Sequence, residues 1–290
     1  MKYVSFKFNG FDSYGALHKE MIYPAREIFP DAPENLVGFI ESGNSITEDD
    51  IKKSGACPIE QSAVKILAPI PRPVREIICL GKNYADHANE VKATSSGDIP
   101  AHPVYFSKSA FSVIGNGDFI PTHDDVTKQI DYESELAVVI GKKCVNVPEE
   151  NALEYIFGYT IINDITARDL QTKHGQWYLG KGLRGFCPMG PVIADKNEIK
   201  NPCDLKIKSR VNGETRQDSN TRNLIFNIAF IISQLSRGFY LYPGDIIATG
   251  TPAGVGHGFN PPKNLSRGDI VECEVEKIGV LTNTIGEDDE

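Results

Sequence analysis

The chain has 290 residues, 40% of them hydrophobic, 24% charged and 9% aromatic, the composition of a globular protein with a core of ordinary size. A formal charge of −9 argues against the basic surface that nucleic-acid binding requires, and no run approaches the roughly 20 apolar residues of a membrane span. The six cysteines stand singly, with no CxxC pair and no zinc-ligand spacing, and the N-terminus shows no signal-peptide core, so reduced thiols in a cytoplasmic protein are expected.

In chain order, residues 1–70 read as a small N-terminal α+β domain. Tyr3, Val4, Phe6 and Phe8 fall in a strand-like N-terminus, an apolar helical stretch follows near residues 23–29, and the unit runs on to residues 64–67. Pro69, Pro71 and Pro73 then mark a stiff extended linker, so residues 71–290 are expected to form the second, larger domain. Within it, strands are predicted near 77–80, 103–106, 136–140, 158–162, 205–211, 245–249 and 270–275, with Asn212-Gly213 as a hairpin turn. Helices are expected over 148–155, 166–173 and 225–236. Strands do not alternate regularly with helices, which speaks against a doubly wound parallel sheet and for a β-rich α+β body. The acidic tail 287–290 is expected to fray.

The residues that carry chemistry are mostly acidic. Glu133 and Glu135 stand at i and i+2 just before the continuous apolar run Leu136–Ile140, so both project from one face of a strand that reads as buried. Such a pair is either a solvated edge or a cation site, because like charges that close on a buried strand need a cation or a proton between them. Asp164 ends a second apolar strand, just ahead of a helix for which Thr166 and Asp169 are expected to form the capping box. Two strand glutamates and this aspartate are hard oxygen donors suited to Mg²⁺ or Mn²⁺; the alternative is a turn-capping acid beside a surface Arg168. Arg168 and Gln171 share a helix face.

His87 and Glu90, at i and i+3, are either a base oriented by a carboxylate or an exposed helix pair. Lys181 lies between two glycines, which allows close approach to a ligand. Residues 250–256 are glycine-rich enough for backbone approach to an anion but lack the Gly-Lys-Ser/Thr ending of a P-loop.

Four ordered segments carry a resemblance: Gly81–His87, Asp131–Leu136, Asn163–Gln171 and Gly244–Gly256. They resemble the fumarylacetoacetate hydrolase superfamily across nearly all of residues 75–285. The resemblance implies a mixed β-sandwich roll, with a small N-terminal domain here, and a homodimer. It implies Glu133, Glu135 and Asp164 as ligands of Mg²⁺ or Mn²⁺, and His87 with Glu90 as a dyad on a lid over residues 84–100. Lys181 becomes a cation near the reacting oxygen, with Arg168, Gln171 and Thr251 in the substrate pocket. Arg168 would hold a distal carboxylate by two hydrogen bonds. The implied activity is C–C bond cleavage in pyruvate-like 2-keto or 1,3-dicarbonyl acids through a metal-bound enolate, as oxaloacetate decarboxylase or acylpyruvate hydrolase. The alternatives are a 2-hydroxyhepta-2,4-diene-1,7-dioate isomerase/decarboxylase and a non-catalytic metal-dependent ligand-binding protein.

Overall fold

In the computed structural model, which describes residues 1–90 and 99–287, strands dominate and most helices are short. The chain opens with β1 (Lys2–Phe8), β2 (Phe11–His18) and β3 (Met21–Pro24), then α1 (Ala25–Ile28), α2 (Leu36–Glu41) and α3 (Glu48–Ser54). Next come β4 (Ile59–Glu60), β5 (Lys65–Ile66), β6 (Ile77–Gly81), α4 (Ala85–Glu90), β7 (Val104–Lys108), β8 (Val113–Ile114), β9 (Phe119–Ile120) and β10 (Ile130–Asp131). The middle holds β11 (Ser134–Ile140), β12 (Ile156–Asn163), β13 (Thr166–Ala167), α5 (Arg168–Lys173), α6 (Tyr178–Lys181) and β14 (Cys187–Asp195). The last part adds β15 (Lys206–Val211), β16 (Glu214–Asn220), α7 (Ile228–Gly238), β17 (Ile246–Ala248), β18 (Ile270–Val275) and β19 (Gly279–Ile285). Of the expected lid, residues 91–98 lie outside the described residues, as do the last three of the acidic tail.

One large sheet runs β4-β3-β2-β1-β14-β12-β11-β17-β6-β7, and a second runs β16-β15-β18-β19-β9. The apolar run in β11 has a simple cause: each face of that strand meets a different core. Leu136, Val138 and Ile140 enter the core that includes Ile207, Val271 and Leu281 of the second sheet and Ile231 and Ile232 of α7. Ala137 and Val139 point the other way, into a core shared with Phe39, Ile40 and Ile246. A strand buried on both faces loses the alternation that marks a half-exposed one. The Asn212-Gly213 turn closes the β15–β16 hairpin with both residues at positive φ, 51° and 80°.

The N-terminal segment is built into this frame. β1 pairs antiparallel with β14, Lys2 opposite Ala194 and Tyr3 opposite Ile193, so the large sheet runs without a break across the proline-rich stretch. Phe39 of α2 is fully buried and packs on the rings of Tyr3, Tyr14 and Phe29. All three helices expected in the larger unit differ in detail, the one expected from Thr166 starting at Arg168 after the two-residue β13. Residues Glu149–Tyr155 form 3-10 turns rather than an α-helix, and α7 starts at Ile228, where the Asn227 side chain caps the Phe230 N–H at 2.9 Å. The capping side chain, not the apolar pattern, sets that start. Among the described residues, no helix is long and apolar enough to cross a membrane.

The shared core predicts that residues 1–70 are necessary for folding of the rest. Phe39→Ala is expected to lower the stability of one cooperative unfolding transition by about 3–5 kcal/mol. A chain beginning at residue 71 should lose that transition in a thermal melt. A soluble fragment that melts cooperatively would show instead that the N-terminal segment is a dispensable domain.

Candidate functional site

The site forms where β11 begins and β12 ends. Their antiparallel register sets Ser134 opposite Asn163 and Glu135 opposite Ile162, which brings Asp164 beside both glutamates. The turn is fixed by backbone contacts: the Asp164 N–H donates to the Glu133 carbonyl at 2.9 Å, and the Glu133 N–H to Asn163 Oδ1 at 3.0 Å. Glu133, Glu135 and Asp164 are buried, and each offers an oxygen within 4.8 Å of the others'. Lys181 Nζ lies between Glu133 Oε2 (2.7 Å) and Asp164 Oδ2 (2.6 Å), while the fully buried Lys108 meets Asp164 Oδ1 at 2.7 Å. Lys108 also donates to the carbonyls of Ile165 and Lys181.

These contacts set the charge states. Burial opposes ionisation of Glu133, but Lys181 and Arg168 outweigh it and hold the carboxyl down at about 2. Burial likewise disfavours the Lys181 ammonium, yet Asp164 and Glu133 raise its pKa above that of an ordinary lysine. Glu135 makes no ion pair among the described residues. Burial and the charges of Asp164 and Glu133 push its carboxyl well above the usual range. Three converging hard oxygen donors, one of them without a cation, fit a divalent ion of the Mg²⁺ or Mn²⁺ type.

The glycine-rich loop completes the site in an unexpected way. Its N–H groups do approach anions, but the anions are the protein's own carboxylates. Gly250 donates to Glu135 Oε2 (2.8 Å), Gly254 to Glu90 Oε1 (2.9 Å), and Gly256 and His257 to the two oxygens of Asp131 (2.7 and 3.0 Å). Gly254 has φ +103°, and a Cβ there would overlap the Arg216 carbonyl oxygen, so the loop requires glycine at this point. The sequence pattern shows the capacity for such donation but not its target.

All the predicted site residues except Glu90 and Asp164 line a single cleft. These two stand behind it: Glu90 Oε2 is 3.3 Å from His87 Nδ1, and Asp164 is held on Lys181. Two expectations change. Arg168 does not present a free fork for a substrate carboxylate. Its Nε donates to Asp131 at 2.9 Å, one terminal nitrogen contacts Asp131 and Glu133 (2.8 and 2.6 Å), and the other donates to Gln171 Oε1 at 3.1 Å. Of five guanidinium N–H groups, that leaves about one for a ligand. The Thr251 hydroxyl is also engaged, donating to the Ser134 carbonyl and accepting from Gln217 Nε2.

The capping box of Thr166 and Asp169 does not form. Thr166 Oγ1 donates to the Asp164 carbonyl, and Asp169 instead accepts from the Thr127 hydroxyl at 2.6 Å. The sequence reading gave no role to Asp131, Lys108 or His257. Asp131 begins the Asp-Tyr-Glu-Ser-Glu segment and so had a visible marker. Lys108 is a lone lysine ending a short strand, without any local signal.

The family model for the fumarylacetoacetate (FAA) hydrolase C-terminal region matches residues 76–286. Over 225 residues the chain is 53% identical to the oxaloacetate tautomerase YisK of Bacillus subtilis, covering 78% of this chain and 74% of that protein. Among solved structures, a fumarylacetoacetate hydrolase from Exiguobacterium antarcticum superposes with a TM-score of 0.87 at 41% identity, covering 99% of each chain. Maleylpyruvate hydrolase from Sphingobium sp. SYK-6, solved with manganese(II) and pyruvate, superposes with a TM-score of 0.79 at 26% identity, covering 99% of this chain and 100% of that one.

The cleft carries its own reporter. Trp177, the single tryptophan, lines it and stands edge-on to Phe106 at 5.3 Å, and Lys181 Nζ lies 5.0 Å from that same Phe106 ring. Mn²⁺ added to chelator-treated protein should quench tryptophan emission saturably, and Glu135→Gln should abolish the response. Unaltered emission, with no manganese retained after gel filtration, would remove the triad as a metal site.

Proposed function

The chain belongs to the fumarylacetoacetate hydrolase superfamily, and we propose that it is a divalent-metal enzyme that tautomerises oxaloacetate or a close 2-keto diacid. One observation carries the reading: three buried carboxylates converge beside a buried ammonium, two of them lining a cleft, in a chain about half identical to an oxaloacetate tautomerase over most of its length. Enolisation of a keto acid places negative charge on the former keto oxygen, and such a site can be arranged in advance to meet it.

Glu133, Glu135 and Asp164 would hold the ion. Bound there, Mg²⁺ or Mn²⁺ supplies Lewis acidity toward the keto and carboxylate oxygens of the substrate. Lys181 places a second positive charge beside the same oxygens. His87 Nδ1 faces Glu90, which leaves Nε2 as the ring nitrogen able to carry a proton between C3 and the keto oxygen. Arg168 acts mainly by fixing Glu133 and Asp131, with one N–H remaining for the ligand. Phe106 and Trp177 form an aromatic wall that limits water near the reacting carbon.

A second reading, C–C cleavage by decarboxylation or by hydrolysis of an acylpyruvate, draws on the same charge stabilisation. It is favoured by the contact between His87 and Glu90, a dyad able to activate water. The proposed enzyme works as a homodimer in the cytoplasm; sedimentation velocity at micromolar concentration checks the first of these.

The assay follows the ultraviolet absorbance of the oxaloacetate enol alongside pyruvate release from oxaloacetate and acetylpyruvate. With Mg²⁺ or Mn²⁺ the protein should speed enol–keto equilibration, and chelation should abolish the effect. Without the proton carrier, His87→Ala should lose about 10²–10⁴-fold in rate while keeping the metal-dependent tryptophan quenching. Fast pyruvate release with no enol effect would select cleavage instead. Neither signal would remove both readings.

A further inference from the structure

A keto diacid has two anionic ends, and the carboxylate triad accounts for one. The other needs donors at the opposite end of the cleft, and the obvious candidates are already engaged. Arg168 has about one N–H left, by the count of its contacts. Lys181 lies between two carboxylates, the Thr251 hydroxyl is bound to Ser134 and Gln217, and Lys82 on the rim is partnered.

His257 remains. It lines the same cleft and is half-buried. Its backbone N–H is held by Asp131 Oδ2 at 3.0 Å, the oxygen that also takes Arg168 Nε at 2.9 Å. His257 is thus joined to the triad only through Asp131 and Arg168, with the guanidinium standing between its loop and Glu133. The preceding residue must be glycine for the loop to lie this close, because a Cβ on Gly256 would overlap the Lys263 carbonyl oxygen and press on Asp131. The position of His257 is thus fixed by contacts that do not involve its own ring.

We propose that His257 is a specificity-determining residue, its imidazole donating a hydrogen bond to the substrate group farthest from the carboxylate triad, a second carboxylate. The inference rests on the keto-acid reading of the site. Burial and the adjacent Arg168 charge push the imidazole below its ordinary pKa, so it recognises the group as a neutral donor and adds no repulsion toward Arg168.

Substitution of the ring leaves the backbone donation to Asp131 in place, so the frame of the site should survive. Calorimetric titrations of the Mn²⁺-loaded protein would use two probes: oxalate, which engages only the metal end, and malate, which carries both carboxylates. His257→Ala should weaken malate about tenfold, the loss of one hydrogen bond to a charged group, and leave oxalate within about twofold. His257→Gln, which restores an N–H donor, should recover most of the malate affinity. Equal weakening of both probes, or unchanged malate binding, overturns the proposal. If the wild-type protein binds neither probe with Mn²⁺ present, the keto-acid reading itself fails and this inference with it.

Discussion

The dominant constraint on this structure is an imbalance of buried charge. Asp131, Glu133, Glu135 and Asp164 are all withdrawn from water, and among the described residues Arg168, Lys181 and Lys108 are the cations buried beside them. Removing an ion from water costs several kcal/mol even after relaxation, so such a cluster persists only if each charge is met at close range. Three of the four acids are met by ion pairs of 2.6 to 2.8 Å, and Glu135 is the one left over. With Glu135 ionised the cluster would carry one excess negative charge, which a divalent ion would turn into a single positive one. A keto acid entering such a site is drawn to the end where its keto oxygen must gain charge. The same electrostatic demand serves tautomerisation and cleavage, so the two proposed readings differ in proton handling by His87 rather than in the triad.

The fold supplies what side-chain cations cannot. Backbone N–H groups carry no desolvation cost comparable to an ammonium, and the loop after β17 gives four of them to Glu135, Glu90 and Asp131. Its glycines allow the close approach, and it is anchored from behind by Gln217, which donates to Thr251 Oγ1 and the Pro252 carbonyl. Asn83 performs a similar service on the other side. Its amide donates to the Thr249 and Phe226 carbonyls and accepts the Phe226 N–H, fastening the turn ahead of α4 to the same loop. The segment bearing His87 and Glu90 is therefore referenced to the triad through neutral contacts that do not alter its charge balance.

How much of this could be read beforehand depended on the range of the interaction. The Glu133–Glu135 pair, the Asp164 turn and the apolar run of β11 are local patterns, and they pointed to one buried acidic site. The β-rich α+β class followed from strand and turn signals of the same short range. The resemblance in four segments added His87, Glu90 and Lys181, which spacing alone left ambiguous. The engagement of Arg168 was not legible, because its partners Asp131 and Glu133 lie far back in the chain, at the end of β10 and in the link to β11, and its local spacing indicated only Gln171. Lys108 was invisible for the same reason: its meaning comes from Asp164 and Lys181, both far along the chain.

The N-terminal segment shows the same limit at larger scale. Three prolines in a row of five residues are a sound local sign of a stiff connection, and they say nothing about what the strands on either side pair with. β1 finds its partner in β14, roughly 190 residues on by the register of Lys2 with Ala194, and α2 supplies Phe39 to a core whose other side is β11. That core backs the alternate residues Ala137 and Val139, immediately beyond Glu135 in the strand. A loosened N-terminal layer would thus reach the acidic cluster through β11 itself, because a shift of that strand moves the Glu135 carboxylate it carries. The N-terminal segment therefore helps to hold the geometry of the acidic cluster.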